Sequence, residues 1–123
     1  MTGRVLIIED DPDIAEALRY ALEKESFSTR IASTGEEGLE ASLDRTNPPT
    51  LILLDLLLPG MSGFEICRRL RKEPHTQRIP IVVISARAFE AEIRRTLQLG
   101  ANNYILKPFL LSDVIASVRF FSS

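Results

Sequence analysis

Among 123 residues there is no tryptophan, one cysteine and one histidine. The lone Cys67 can form no internal disulfide and belongs to no CxxC pair, which excludes a disulfide framework and a thiol-based metal or redox motif and points to an intracellular chain. His75 sits in a polar stretch with no partner motif, so neither it nor Cys67 is expected to be catalytic. No apolar run approaches the length of a membrane span, and the start, Met1-Thr2-Gly3-Arg4, lacks the longer apolar core of a signal peptide. The expected compartment is the cytoplasm, with no membrane partner. Positive charge is not in excess: 15 Lys and Arg stand against 17 Asp and Glu, a formal net charge of −2. A nucleic-acid binder carries the opposite balance, so DNA or RNA is not expected as a partner of this segment. Neither a GxxxxGK[ST] nor a GxGxxG loop is present, which removes the usual nucleotide-binding signatures.

What is present is ordinary globular composition, 45% hydrophobic and 26% charged, in a length that holds one core. Residues 1–123 are therefore expected to form one domain. Three short apolar runs, Val5 to Ile8, Leu51 to Leu54 and Ile81 to Ile84, are too short for helices. They are continuous rather than alternating, as in parallel strands covered on both faces. Phe27 to Ile31 alternates, and Tyr104 to Leu106 is a brief run; both suit the edges of a sheet.

Helical patterns separate the strands. Ile14, Ala17, Leu18, Ala21 and Leu22 make one apolar stripe, with Asp11 as cap and Pro12 at the first helical position. Ser33-Thr34 followed by Glu36-Glu37 predicts a capping box. A third helix is expected over Gly63 to Lys72 with Phe64, Cys67 and Leu70 inward. A fourth is expected over Phe89 to Leu99, with Phe89, Ile93 and Leu97 inward and Gly100 as terminator. The last begins near Leu111, where Leu111, Val114, Ile115 and Val118 share a face, and Phe120 and Phe121 cannot both point inward. Strand and helix alternate throughout, which predicts a three-layer α/β domain of right-handed βαβ units.

Ligands of an open parallel sheet bind beyond the carboxyl ends of its strands. The apolar runs end in Glu9-Asp10-Asp11, Asp55, Ser85 and Lys107-Pro108. If these ends meet, clustered carboxylates repel one another unless a cation intervenes, and a hard oxygen set favours Mg²⁺. Three carboxylates, one divalent ion and Lys107 balance to neutrality, a site able to receive a phosphoryl group. Asp55 is the candidate nucleophile, with the ion and Lys107 spreading the charge of the transferring group.

These residues resemble the receiver domain of two-component response regulators, over essentially the whole chain. The resemblance rests on Val5-Leu6-Ile7-Ile8-Glu9-Asp10-Asp11, Leu53-Leu54-Asp55 with Leu58-Pro59-Gly60-Met61-Ser62-Gly63, Ile84-Ser85-Ala86, Gly100-Ala101, and Tyr104-Ile105-Leu106-Lys107-Pro108-Phe109, in that order and spacing. It implies a flavodoxin-like (CheY-like) fold, a five-stranded parallel sheet of order 2-1-3-4-5 with five helices. It implies Asp55 as the phosphoacceptor, with Glu9, Asp10, Asp55 and the Leu57 carbonyl holding Mg²⁺, Ser85 hydrogen-bonding the phosphoryl group and Lys107 pairing with it. Asp11 remains a cap. Lys107-Pro108 is expected to be cis, and Ser85 and Tyr104 to form the switch.

By the same resemblance the phosphodonor is a sensor histidine kinase or histidine phosphotransfer protein. It would dock against Ile14, Leu18, Pro108 and Phe109, and a downstream protein or output domain would read the switch. Such a module catalyses only its own phosphorylation and dephosphorylation. Where many transcription-factor receivers read Gly-Ala-Asp-Asp-Tyr, this chain has Gly100-Ala101-Asn102-Asn103-Tyr104, so a monomer or a weak, phosphorylation-dependent dimer is expected. Two alternatives remain open: a metal-dependent phosphohydrolase of similar fold, and a pseudo-receiver acting only by binding proteins.

Overall fold

The computed structural model describes residues 3–122. Five strands and five helices alternate: β1 (Arg4–Ile8), α1 (Pro12–Lys24), β2 (Ser28–Ala32), α2 (Gly35–Ser42), β3 (Leu51–Asp55), α3 (Gly63–Lys72), β4 (Ile81–Ser85), α4 (Glu90–Gln98), β5 (Asn103–Leu106) and α5 (Leu111–Ser122). All pairings are parallel and the order is β2-β1-β3-β4-β5, as expected. The continuous apolar runs are the three central strands, and every residue of β3 and β4 is buried. Period-two alternation divides them between two cores. Val5, Ile7, Leu51, Leu53, Val82 and Ile84 pack under α1 and α5; Leu6, Ile8, Ile52, Leu54, Ile81 and Val83 pack under α2 and α3. The edge strands β2 and β5 are more exposed.

The helix starts follow their side-chain chemistry. Asp11 accepts from the amides of Asp13 (2.9 Å) and Ile14 (3.3 Å), with Pro12 in the position where a missing N–H costs nothing. Thr34 caps α2 through the Glu37 amide at 3.1 Å, while the Glu37 carboxylate reaches back to the Ser33 amide at 3.1 Å. The capping box is thus closed by Glu37; Glu36 lies instead against Gly60, whose φ of +77° and lack of a side chain permit the approach. Ser62 caps α3. Gly100, at φ +112°, terminates α4, where its amide bonds the Leu97 carbonyl at 3.1 Å.

The apolar stripes are rotated from their expected phase in three helices. In α1, Ala15 is buried and Ala17 exposed. In α4, Phe89 and Leu97 are exposed and the buried residue is Thr96, whose hydroxyl donates to the Glu92 carbonyl at 2.7 Å. A hydroxyl satisfied inside its own helix can be buried cheaply, which the apolar pattern cannot signal. In α5, Leu111 is exposed while Val114 and Val118 close the core. Phe120 is exposed and Phe121 half-buried, ring edge against ring face. No helix among the described residues is long and apolar enough to cross a membrane.

Candidate functional site

Parallel strands end on one rim, and the register fixes which ends adjoin. Ile8 pairs with Leu54, Asp55 with Ile84, and Ser85 with Leu106. Glu9 therefore emerges beside Asp55, and Lys107 beyond Ser85. Carboxylate oxygens of Glu9, Asp10 and Asp55 all lie within 4.8 Å of one another. Glu9 and Asp55 are nearly closed from water, at 3% and 5% exposure, while Asp10 opens to solvent.

Lys107 Nζ joins the two buried acids, donating to Glu9 Oε1 at 2.8 Å and to Asp55 Oδ2 at 3.1 Å. The remaining oxygens take backbone donors: Glu9 Oε2 accepts from the Asp11 amide at 3.2 Å and Asp55 Oδ1 from the Leu57 amide at 3.1 Å. Burial pushes the Glu9 carboxyl up to about 7, against the lowering effect of Lys107 and the Asp11 amide and with added repulsion from Asp55. Burial also disfavours a charged lysine, but the bonds and charges of Glu9 and Asp55 outweigh it and hold the Lys107 ammonium above its ordinary range.

One ammonium against three gathered carboxylates leaves two negative charges when all three are ionised. The donors are all hard oxygens and one of them faces water, so the set fits a divalent ion of the Mg²⁺ type that keeps part of its hydration shell. Leu57, expected to contribute its carbonyl, follows Asp55 in the loop before α3.

The loop that places these groups is fixed by close packing. A Cβ on Gly63 would come within 2.7 Å of the Leu56 backbone, and one on Gly35 would overlap the Met61 carbonyl. The chain leaving Asp55 is thereby pressed between α2 and the start of α3.

Ser85 is fully buried at the same rim, its Oγ accepting the Arg87 amide at 3.1 Å. Tyr104 is half-buried on β5, and its hydroxyl donates to the Arg87 carbonyl at 2.7 Å. The Arg87 guanidinium is paired with Glu92 of α4. Ser85 and Tyr104 are thus joined through one residue of the β4–α4 loop and are not hydrogen-bonded to the acidic cluster. The Arg87–Glu92 link was not anticipated, because a five-residue separation is no regular helical spacing and leaves no pattern to read. The Lys107–Pro108 bond is cis, as expected.

Ile14, Pro108 and Phe109 line an apolar recess of about 440 Å³ with Ala86 and Lys107, beside the acidic cluster. Leu18 is not part of it. One turn beyond Ile14 it faces the sheet at 1% exposure, within the core under α1, and no partner can reach it. The two asparagines are engaged internally. Asn102 Oδ1 accepts from the Ile81 amide and from Arg71, and Asn103 Nδ2 donates to Ser117 Oγ.

The family model described as the response regulator receiver domain matches residues 5–119. The phosphate regulon transcriptional regulatory protein PhoB of Rhizobium meliloti (strain 1021) is 40% identical over 119 residues, 97% of this chain and 52% of PhoB. The DNA-binding response regulator MtrA of Mycolicibacterium smegmatis is 39% identical over 119 residues, 97% of this chain and 50% of MtrA. The chain spans about half the length of these relatives.

Among solved structures, the receiver domain of a signal transduction histidine kinase from Syntrophus aciditrophicus superposes with a TM-score of 0.87 at 32% identity, covering 98% of this chain and 90% of that one. The receiver domain of sensor histidine kinase PA1611 from Pseudomonas aeruginosa PAO1, solved with magnesium coordinated in its active-site cleft, shares the fold with a TM-score of 0.86 at 24% identity, covering 99% and 98%.

The relatives correct one expectation. The charge balance excluded nucleic acid as a partner, yet MtrA is by name a DNA-binding protein. A count over 123 residues describes this segment, and a relative twice as long carries residues the count never included.

Proposed function

The chain belongs to the response regulator receiver domain family, a phosphorylation-accepting signalling domain, and from that premise we propose which of its atoms accept and report the phosphoryl group. Asp55 is the acceptor. The observation that carries this assignment is the pair of contacts on its carboxylate, Lys107 Nζ at 3.1 Å and the Leu57 amide at 3.1 Å, which hold a buried acid in one orientation at the open rim of the sheet.

In the transfer, one carboxylate oxygen of Asp55 forms the new bond to phosphorus while the bond from phosphorus to the donor breaks and its electron pair leaves with the donor. A phosphohistidine of a sensor kinase or phosphotransfer protein suits that role. Lys107, already beside the accepting carboxylate, stays an ammonium and takes up charge on the phosphoryl oxygens. Glu9, Asp10, Asp55 and the Leu57 carbonyl would hold Mg²⁺. When bound, the ion supplies charge neutralisation for the carboxylates and for the phosphoryl oxygens. The domain supplies its own acceptor and charge stabilisation and turns over no external substrate.

The readout starts at Ser85. Among the described residues its hydroxyl accepts only from the Arg87 amide, so it can rotate its proton toward a phosphoryl oxygen. Moving Ser85 pulls on Arg87, whose carbonyl holds Tyr104 and whose guanidinium holds α4. A new charge of about −2 at Asp55 is thereby passed to β5 and α4 through one loop. Ile14, Pro108 and Phe109 form the donor's docking recess. Residues 1–123 act as one receiver domain, and the kinship with transcriptional regulators points to the cytoplasm as its compartment.

The test is intact mass after exposure to acetyl phosphate with Mg²⁺. A single phosphoryl adduct is expected on the native chain and none on Asp55→Ala; many turnovers of a phosphomonoester would replace the signalling reading with a phosphohydrolase.

A further inference from the structure

A second cavity lies at the opposite rim of the sheet from Asp55, where β1 and β2 begin. Arg4 pairs with Ser28 on the first rung and Leu6 with Arg30 two rungs on, so strand alternation sets all four on the face covered by α2. Between that face and α2 is an opening of about 170 Å³, with Arg4, Ser28, Arg30 and Asn47 around it and Leu6 and Ala41 in its floor. That volume is near the roughly 150 Å³ of a cavity that accepts benzene. The polar groups are only partly used. Arg4 Nε donates to the Pro48 carbonyl at 3.0 Å and an Arg30 terminal nitrogen lies 3.5 Å from Asp44 Oδ2. The Ser28 hydroxyl and the Asn47 carboxamide bond no described residue.

We propose that this opening binds a small monocarboxylate carrying a short apolar tail. Among the described residues Asp44 is the one carboxylate within ion-pair distance of either guanidinium, with Glu37 and Glu40 of α2 lining the adjoining recess beside Arg30, so the opening carries at most one positive charge, which a monoanion balances and a phosphate dianion overshoots. The forked N–H donors of arginine match the two oxygens of a carboxylate, and Ser28 and Asn47 add donors at the mouth. The floor of Leu6 and Ala41 gives no partner to a polar group and takes an alkyl or aryl tail. None of these residues has a part in phosphoryl transfer, so the proposal stands apart from the acidic cluster.

Butyrate is the probe, titrated into the Mg²⁺-free 123-residue chain while amide resonances are followed by NMR. Saturable shifts at Val5, Ser28, Arg30 and Asn47 are expected, with Glu9 and Asp55 unmoved. Arg30→Gln and Arg4→Gln should each weaken binding by about threefold, the usual effect of losing a solvent-exposed ion pair. Asp44→Asn should tighten it. A dispersed spectrum shows that each variant is folded, and either arginine variant alone suffices. Linear shifts without saturation, equal binding of neutral butyramide, or native affinity in the folded arginine variants would overturn the proposal. Inorganic phosphate binding as tightly as butyrate would overturn it too, in favour of an unspecific anion patch.

Discussion

At the carboxyl rim of the sheet, Glu9 is closed off from water and still accepts two hydrogen bonds, yet burial outweighs them and holds its proton to about pH 7, against an ordinary value of 4.5. Between those two values the native chain binds more protons than the unfolded chain, so metal-free stability falls as pH rises through the window. The penalty is absent below it, complete above it, and on the order of 2 to 3 kcal/mol. Lys107 is displaced upward from 10.5, so its contribution is constant over the same range. Urea unfolding from pH 5 to pH 8 should show this slope in the native chain and its loss in Glu9→Gln. Mg²⁺ competes with the proton, and should raise the melting temperature more at pH 8 than at pH 5. Asp11, one residue past Asp10, behaves differently: its oxygen caps α1 and is no part of the cluster. Asp11→Ala should cost about 1 kcal/mol of stability while leaving the extent of phosphorylation unchanged.

At the scale of elements, Arg71 shows how the α3 terminus is tied to the rest of the fold. Its half-buried guanidinium donates to the carbonyls of Gly100 (2.8 and 3.0 Å), Thr76 (3.4 Å), Gln77 (3.1 Å) and Ile79 (2.8 Å), and to Asn102 Oδ1 (3.1 Å). Removing it strands several carbonyls and one side-chain acceptor, so Arg71→Met should cost on the order of 2 kcal/mol or more in chemical denaturation. Nothing in the basic run Arg68, Arg69, Arg71 and Lys72 marks the one residue that turns inward. Tyr104→Phe removes the bond to the Arg87 carbonyl and should lower stability by about 1 kcal/mol; it should not reduce phosphorylation by acetyl phosphate, since the hydroxyl touches none of the acids. The central strands were legible because a strand buried on both faces has one composition. The phases of α1, α4 and α5 were not, because a short helix with a satisfied threonine or a small alanine buries residues that apolar periodicity passes over.

Over the whole molecule, the site exists only through topology. Glu9, Asp55, Ser85 and Lys107 are separated by 98 residues end to end, yet each follows or ends a strand, and five parallel strands in one order bring those ends together. That much could be read from where the apolar runs stop. The bridging of two acids by one lysine, the burial that raises Glu9 and the coupling of Ser85 to Tyr104 through Arg87 depend on side-chain directions that run endings do not contain. In the proposed transfer the phosphoryl group is attached at Asp55. Borohydride reduction of the chain after acetyl phosphate and Mg²⁺ treatment converts an aspartyl phosphate to homoserine, which peptide mass spectrometry locates. Homoserine at position 55 and nowhere else is the predicted result; reduction at Asp10 or Asp11, or an unreduced chain that nonetheless carries phosphate, would contradict it.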